Sequence, residues 1–336
     1  MPTAPTSFAV SPYDEQYFFS LPRPQAVQRP LAAGLFHESS ESQSSLSSEE
    51  IHSGDLSFIT ADEVDHPLMF STVYEMFAER NDAVRHATPI SEVELDSLIQ
   101  YVEATRKFSD FLEVPASLPA EWSLCSEGEE FDCFKSIDES TGIVRTRTWA
   151  HIRGVPPQTL FFILSDSQTR RMWDKHYAKF EPEWTDPADP RLDILDAVVS
   201  APLGFANREF LEWRRTRLAL SKGDPFAIYL RSWNESGAGR PVSKGAVRAE
   251  VWLSGYLISW WEEDGQVLGA QVMVMTQIDV KGLIPKYIVN ALSSSAPRKW
   301  VKSVTAAAHA ELAQRGVINP TQLSHEALNQ MYQIQP

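Results

Sequence analysis

The chain has 336 residues, 43 % of them hydrophobic and 22 % charged, values ordinary for a water-soluble globular protein with room for one large domain or two smaller ones. A formal charge of −15 leaves no broad basic face for a phosphate backbone, and no run reaches the roughly 18 apolar residues that cross a bilayer, so neither a nucleic-acid partner nor a membrane span is expected. Two cysteines are too few for a disulfide framework or a zinc site, and residues 1–20 lack the basic start and apolar block of a signal peptide, which points to a reducing, cytoplasmic setting.

Residues 1–90 carry 4 Arg and no Lys against 13 acids, a balance of −9 that leaves −6 for the remaining 246 residues. Residues 1–65 read as an acidic Ser/Pro-rich tail around the run Ser39–Glu50, too poor in apolar area to offset the entropy of ordering. Serines followed by acids also suit phosphorylation. Residues 66–89, with Leu68, Met69, Phe70, Val73, Tyr74, Met76 and Phe77, form a possible helical linker, either packed on the next domain or free to meet a partner.

A helix is predicted from Ser91, where Glu94 completes a capping-box pattern and Leu95, Leu98, Ile99, Val102 and Phe108 follow at three- and four-residue steps. Pro115 and Pro119 close it. Strands rich in Val, Ile, Thr and aromatics are predicted over 122–136, 143–153, 177–185, 191–200, 208–220, 226–234, 246–261 and 266–279, with Cys125 and Cys133 in a hairpin. Turn residues at 138–142 and 262–265 imply antiparallel pairing, and one helical interruption runs from Pro156 to about Lys175. The last helix, 284–315, carries the stripe Ile288, Val289, Leu292, Trp300, Val301, Val304, Ala308 and Leu312 and ends at Gly316; Pro297 should kink or break it. Residues 317–336 read as a C-terminal tail. With 10 Trp and 17 Phe, this α+β domain has aromatic surface for an ordinary core or for the lining of a cavity.

Several stretches, in order, resemble the START family of lipid-transfer domains over residues 90–316. They are Arg170-Arg171-Met172-Trp173-Asp174, Ala206-Asn207-Arg208-Glu209-Phe210, Lys244–Glu250 and, most closely, Ile278–Asn290 at the junction of the last strand and last helix. The resemblance implies a helix-grip fold, in which a curved antiparallel sheet, an N-terminal helix and a long C-terminal lid helix enclose a tunnel for one lipid. By the same resemblance, Arg170 and Asp174 match the positions with which a phosphatidylcholine-carrying member reaches its lipid. A guanidinium suits phosphate, although an ion pair between these two residues is an equal reading. Phe210 and Trp252 fall on two positions of that member's aromatic choline cage, and Ala197 replaces a third. Arg214 matches the arginine of sterol-binding members, whose acid position falls on Leu195. Asp193 keeps the strand parity and is the better substitute, because Asp196 would point to the opposite face. The lid's Ile288, Val289 and Leu292 should line the cavity, whereas Glu209, Glu212 and Arg208 read as surface or structural groups.

Lys286, Arg298, Lys299 and Lys302 gather positive charge near Trp300, which suits transient contact with an anionic membrane surface at about 1 kcal/mol per basic residue. HExxH, GxSxG, phosphate-loop and Cys/His ligand patterns are missing from the sequence, so neither catalysis nor a cofactor is expected. The expected function is binding one lipid, a phospholipid ahead of a sterol, and moving it between membranes as a monomer. The alternative is a lipid-sensing module whose N-terminal tail recruits partners.

Overall fold

A computed structural model describes residues 88–106, 122–137, 141–201, 204–233 and 240–334, all within the unit spanning 59–336. The expected acidic tail, nearly all of the expected linker, Pro115 and Pro119 lie outside the described residues.

Among the described residues ten strands alternate with few helices: β1 (Ser123–Gly128), β2 (Phe131–Ile137), β3 (Val144–Arg153), β4 (Tyr177–Thr185), β5 (Leu192–Val199), β6 (Asn207–Arg217), β7 (Phe226–Ser232), β8 (Ala246–Arg248), β9 (Glu250–Glu263) and β10 (Gln266–Asp279). They form one sheet in the order β1-β2-β3-β10-β9-β7-β6-β5-β4, antiparallel at each step. Short β8 adds to β6 in parallel, so the predicted strand 246–261 is two strands, the first running in the same sense as the strand it pairs with. The cysteine hairpin is β1–β2, and Asp264 and Gly265 turn β9 into β10 with φ of 48° and 74°, the left-handed pair a two-residue hairpin requires.

The first helix, α1 (Glu92–Arg106), begins at the capping box. The Ser91 N–H donates to Glu94 Oε2 at 2.9 Å, and the Glu94 N–H donates back to Ser91 Oγ at 3.2 Å. Ile90, Leu95 and Leu98 press on the outer face of the sheet, among Trp213, Tyr229, Leu257 and Met273. Gly255 permits this approach, because a Cβ there would stand 2.9 Å from Leu98 Cδ2.

The predicted helical interruption is two short helices, α2 (Pro157–Ser165) and α3 (Ser167–Trp173), with Asp166 capping the second through a 2.7 Å bond from the Thr169 N–H. Leu160 and Ile163 of α2 join Val301, Val304, Ala308 and Leu312 of the last long helix, α4 (Lys286–Gln314), over the inner face of the sheet with Ile152, Ile258 and Val272. α4 runs through Pro297 without a break, so of the two expectations for this proline, a kink or a break, the break does not occur. Its apolar face already packs on the sheet there, which compensates for the lost backbone bond. With helices on both faces, strands bury both parities, and β7 is buried at every position. Among the described residues no helix is long and apolar enough to cross a membrane.

The expected C-terminal tail is instead folded. After a 3-10 turn (Pro320–Gln322), α5 (His325–Met331) is capped by Ser324, whose Oγ accepts from the Ala327 N–H at 3.1 Å. Leu328 is fully buried, Tyr332 OH and Thr159 Oγ1 of α2 lie 2.9 Å apart, and Gln158 Nε2 donates to Asn329 Oδ1 at 3.2 Å. Seven residues are too few to form a stable helix alone, so tertiary packing decides this element.

Candidate functional site

On β5 and β6 the inner face carries Asp193, Leu195, Ala197, Phe210, Glu212 and Arg214, since Leu195 and Ala197 belong to the inner core while Ile194, Leu211 and Trp213 belong to the outer one. On β9 and β10 the inner set includes Tyr256, Ile258, Ala270, Val272 and Val274. This settles the parity that an apolar sequence left ambiguous.

Two polar groups are built into this face. Asp193 lies directly across the ladder from Arg214, which donates to it through Nε at 2.9 Å and through Nη2, while Nη1 donates to the Ser165 carbonyl at 2.8 Å. The pair expected from parity is therefore closed on itself and tied to the end of α2. Leu195 is a fully buried core residue, and Asp196 faces away, held by Lys179 at 2.7 Å and Arg240 at 2.6 Å. A cleft of about 310 Å³ opens beside the Arg214–Asp193 pair, between Phe161, Phe162, Thr216 and Tyr332. Arg170 and the lid's first half do not line it.

The second group centres on Arg170. This side chain is buried at 3 % exposure, with Nη2 3.0 Å from Asp174 Oδ2 one helical turn on. Its guanidinium lies over the rings of Trp173 at 4.6 Å, Tyr177 at 5.4 Å and Phe180 at 5.8 Å. Burial opposes the charge, yet Tyr256, Tyr177 and Asp174 outweigh it and hold the guanidinium pKa above its ordinary value. Burial also opposes ionised Asp174, but the bond from His176 Nδ1 at 3.2 Å and Arg170 keep it below the usual carboxylate range. Arg170 Nε is buried with no hydrogen-bond partner, and so is Trp252 Nε1. Such orphaned donors are uncommon and call for an acceptor.

Phe210 is half-buried against the inner core, directly across from Ala197, and Trp252 shares the parity of Tyr256. Ile288, Val289 and Leu292 are half-buried on the first half of α4, outside the core cluster that its second half joins. Trp300 turns inward, contrary to its expected place on the membrane side. It packs on the inner core with its ring 6.2 Å from Tyr256, because position 300 continues the stripe of Val304 and Ala308. Arg298, Lys299 and Lys302 are exposed, Arg298 donating to the Glu127 carbonyl at 2.6 Å; the Lys286 side chain lies outside the described residues. Leu283, before the lid, is 93 % exposed.

Glu212, expected as a surface or structural group, is not on the surface. It is 6 % exposed and faces inward, and burial pushes its pKa up to about 8 although Arg214 pulls the other way. Its two-residue spacing from Phe210 and Arg214 was the available signal. Arg208 fits its structural reading, donating through Nε to the Val280 carbonyl at 2.6 Å and through Nη2 to the Lys281 carbonyl at 2.9 Å. It thereby fixes the lid junction, where Gly282 takes φ of 70°. Glu209 is likewise structural, bonded to Ser243 and Arg248.

The family model described as START domain matches residues 108–313. The chain belongs to the START family. Phosphatidylcholine transfer protein of Mus musculus is 22 % identical over 198 residues, 58 % of this chain and 87 % of the relative. START domain-containing protein 10 of Homo sapiens is 30 % identical over 165 residues, 45 % of this chain and 48 % of the relative. Among solved structures, human StAR-related lipid transfer protein 5 superposes with a TM-score of 0.52 at 13 % identity, covering 71 % of this chain and 97 % of that one. Human STARD10 gives 0.50 at 20 % identity, covering 65 % and 85 %. These START structures share the helix-grip fold, with its antiparallel sheet and C-terminal helix.

Proposed function

We propose that this START protein binds one phospholipid between its sheet and its α4 lid and carries it between membranes. The observation that bears the reading is that two of the buried donors without a partner, Arg170 Nε and Trp252 Nε1, occupy positions where the family resemblance expects lipid contacts, in a fold whose named relatives include a phosphatidylcholine transfer protein. A phosphate oxygen satisfies a guanidinium through charge-assisted hydrogen bonds. The sterol reading is weaker, because the Arg214–Asp193 fork already satisfies itself and needs no ligand hydroxyl.

The cleft of about 310 Å³ lies apart from Arg170 and from the first half of α4, so in this reading a two-chain lipid enters between sheet and lid by movement of the lid. The half-buried Ile288, Val289 and Leu292 are the part of α4 free to move, since the second half is locked into the core. Exposed Leu283 and the basic Arg298, Lys299 and Lys302 flank that moving half and would meet the anionic bilayer surface, with Arg208 as the fixed end of the hinge. No catalytic step is assigned. The test is transfer of a fluorescent phospholipid from donor to acceptor vesicles by the full chain. Transfer that accelerates with anionic acceptors supports the reading; a protein that leaves vesicle phospholipid unmoved contradicts it.

A further inference from the structure

We propose that Glu212 recognises the primary ammonium of a zwitterionic phospholipid whose phosphate is held by Arg170. The inference rests on the phospholipid reading above and deepens it by naming the headgroup.

Glu212 projects from the middle of β6 onto the inner face, across the ladder from Leu195 on one side and Ser232 on the other. At 6 % exposure, its carboxyl group has no hydrogen bond and no ion pair among the described residues. The nearest cation along its own strand is Arg214, and that guanidinium is occupied by Asp193 and by the Ser165 carbonyl. A buried acid without a partner carries the full penalty of lost hydration. Together with the orphaned donors Arg170 Nε and Trp252 Nε1, such a group marks a site completed by a ligand.

The same surroundings connect Glu212 to Arg170. Tyr177 from β4 and Tyr256 from β9 each interact electrostatically with Arg170 and Asp174 and also with Glu212. One buried polar region therefore offers a cation with an open donor and a carboxyl group with open acceptors, which loses its proton when an ammonium binds beside it. A ligand matching both carries a phosphate and an ammonium. A primary ammonium donates N–H bonds to a carboxylate, whereas a quaternary ammonium has none to give and depends on surrounding rings. Ala197 opposite Phe210 leaves one wall of that region without a ring. The headgroup that fits is phosphoethanolamine in chemistry.

The test uses the full chain and three lipid probes sharing one fluorescent acyl chain: phosphatidylethanolamine, phosphatidylcholine and phosphatidic acid, each offered in vesicles. The wild-type protein should take up phosphatidylethanolamine best. Glu212→Gln should lower that uptake about tenfold or more, the scale of a charge-assisted hydrogen bond, and leave phosphatidic acid unchanged or improved. Glu212→Asp, which keeps a carboxyl group able to ionise beside an ammonium, should retain the preference. If Glu212→Gln takes up phosphatidylethanolamine as well as the wild type does, the amine assignment is overturned while the phospholipid reading stands. An equal loss for phosphatidylcholine and phosphatidylethanolamine overturns the choice of a primary amine. A wild-type protein that takes up none of the three overturns both.

Discussion

Replacing Glu212 by Gln should stabilise the protein, and by an amount that depends on pH. The carboxyl group titrates near pH 4.5 in the unfolded chain and at about 8 when folded, because burial disfavours its charge. Between those values the folded state keeps a proton that the unfolded state has released. Stability is thus fully present below pH 4.5 and declines as pH rises through the window. At pH 7 the decline spans about 2.5 pH units at about 1.4 kcal/mol each, or about 3 kcal/mol. The isosteric amide has no charge to lose. Urea unfolding of both proteins at pH 5, 6, 7 and 8 should show the variant ahead by about 3 kcal/mol at pH 7, with the gap closing below about 1 kcal/mol at pH 5. Other titrating groups cancel in the difference. A gap that does not change with pH, or a wild type more stable at pH 7, would refute the picture of an unpaired buried acid.

Other consequences are open to the same kind of check. Arg170→Ala should weaken phospholipid uptake by about 1.5–3 kcal/mol and, by stranding buried Asp174, destabilise the fold; adding Asp174→Asn should restore stability but not uptake, as unfolding and vesicle binding measured together would show. Cys125 shares a hydrogen bond with Cys133, its Sγ 3.3 Å away, and lies near Lys135; these lower its pKa to about 7. Its thiolate grows as pH rises through 7, so iodoacetamide should label it half-maximally near that pH and leave buried Cys133, whose pKa is raised, unlabelled. Leu328→Ala should cost about 2–5 kcal/mol of unfolding free energy, whereas a residue in a loose tail would cost almost nothing. Charge reversal at Lys299 and Lys302 should slow transfer to anionic vesicles and leave lipid occupancy unchanged.

Local signals in the sequence led to much of this structure. Ser91 and Glu94 marked a helix start that the backbone uses, and Asp264-Gly265 supplied the left-handed pair the β9–β10 turn requires. The family resemblance singled out Arg214 and an acid position at Leu195, strand parity then preferred Asp193 to Asp196, and Asp193 is the residue that faces Arg214. What stayed hidden has a common cause: α1 covers one face of the sheet, and α2 and α4 cover the other. A strand such as β7 then buries every residue, and alternation carries no information about which face is inner. Under those conditions Glu212, close to Glu209 and Arg215 in sequence, reads as one more surface or structural group. Trp300 carries two readings in the sequence, a member of the stripe with Val304 and a membrane group beside Arg298, Lys299 and Lys302, and its packing follows the stripe. The last helix was invisible for a different reason: α5 exists because Leu328 and Tyr332 pack on α2, a tertiary contact that no local pattern announces.

Native mass spectrometry of the full chain, purified from cells without added lipid, tests the central claim most directly. A carrier built around one internal site should retain a single adduct per chain, and fragmentation of that adduct should release a phospholipid, with phosphoethanolamine headgroups prominent. A chain that carries a sterol in place of phospholipid, or several loosely held lipids shed at low collision energy, would contradict the account.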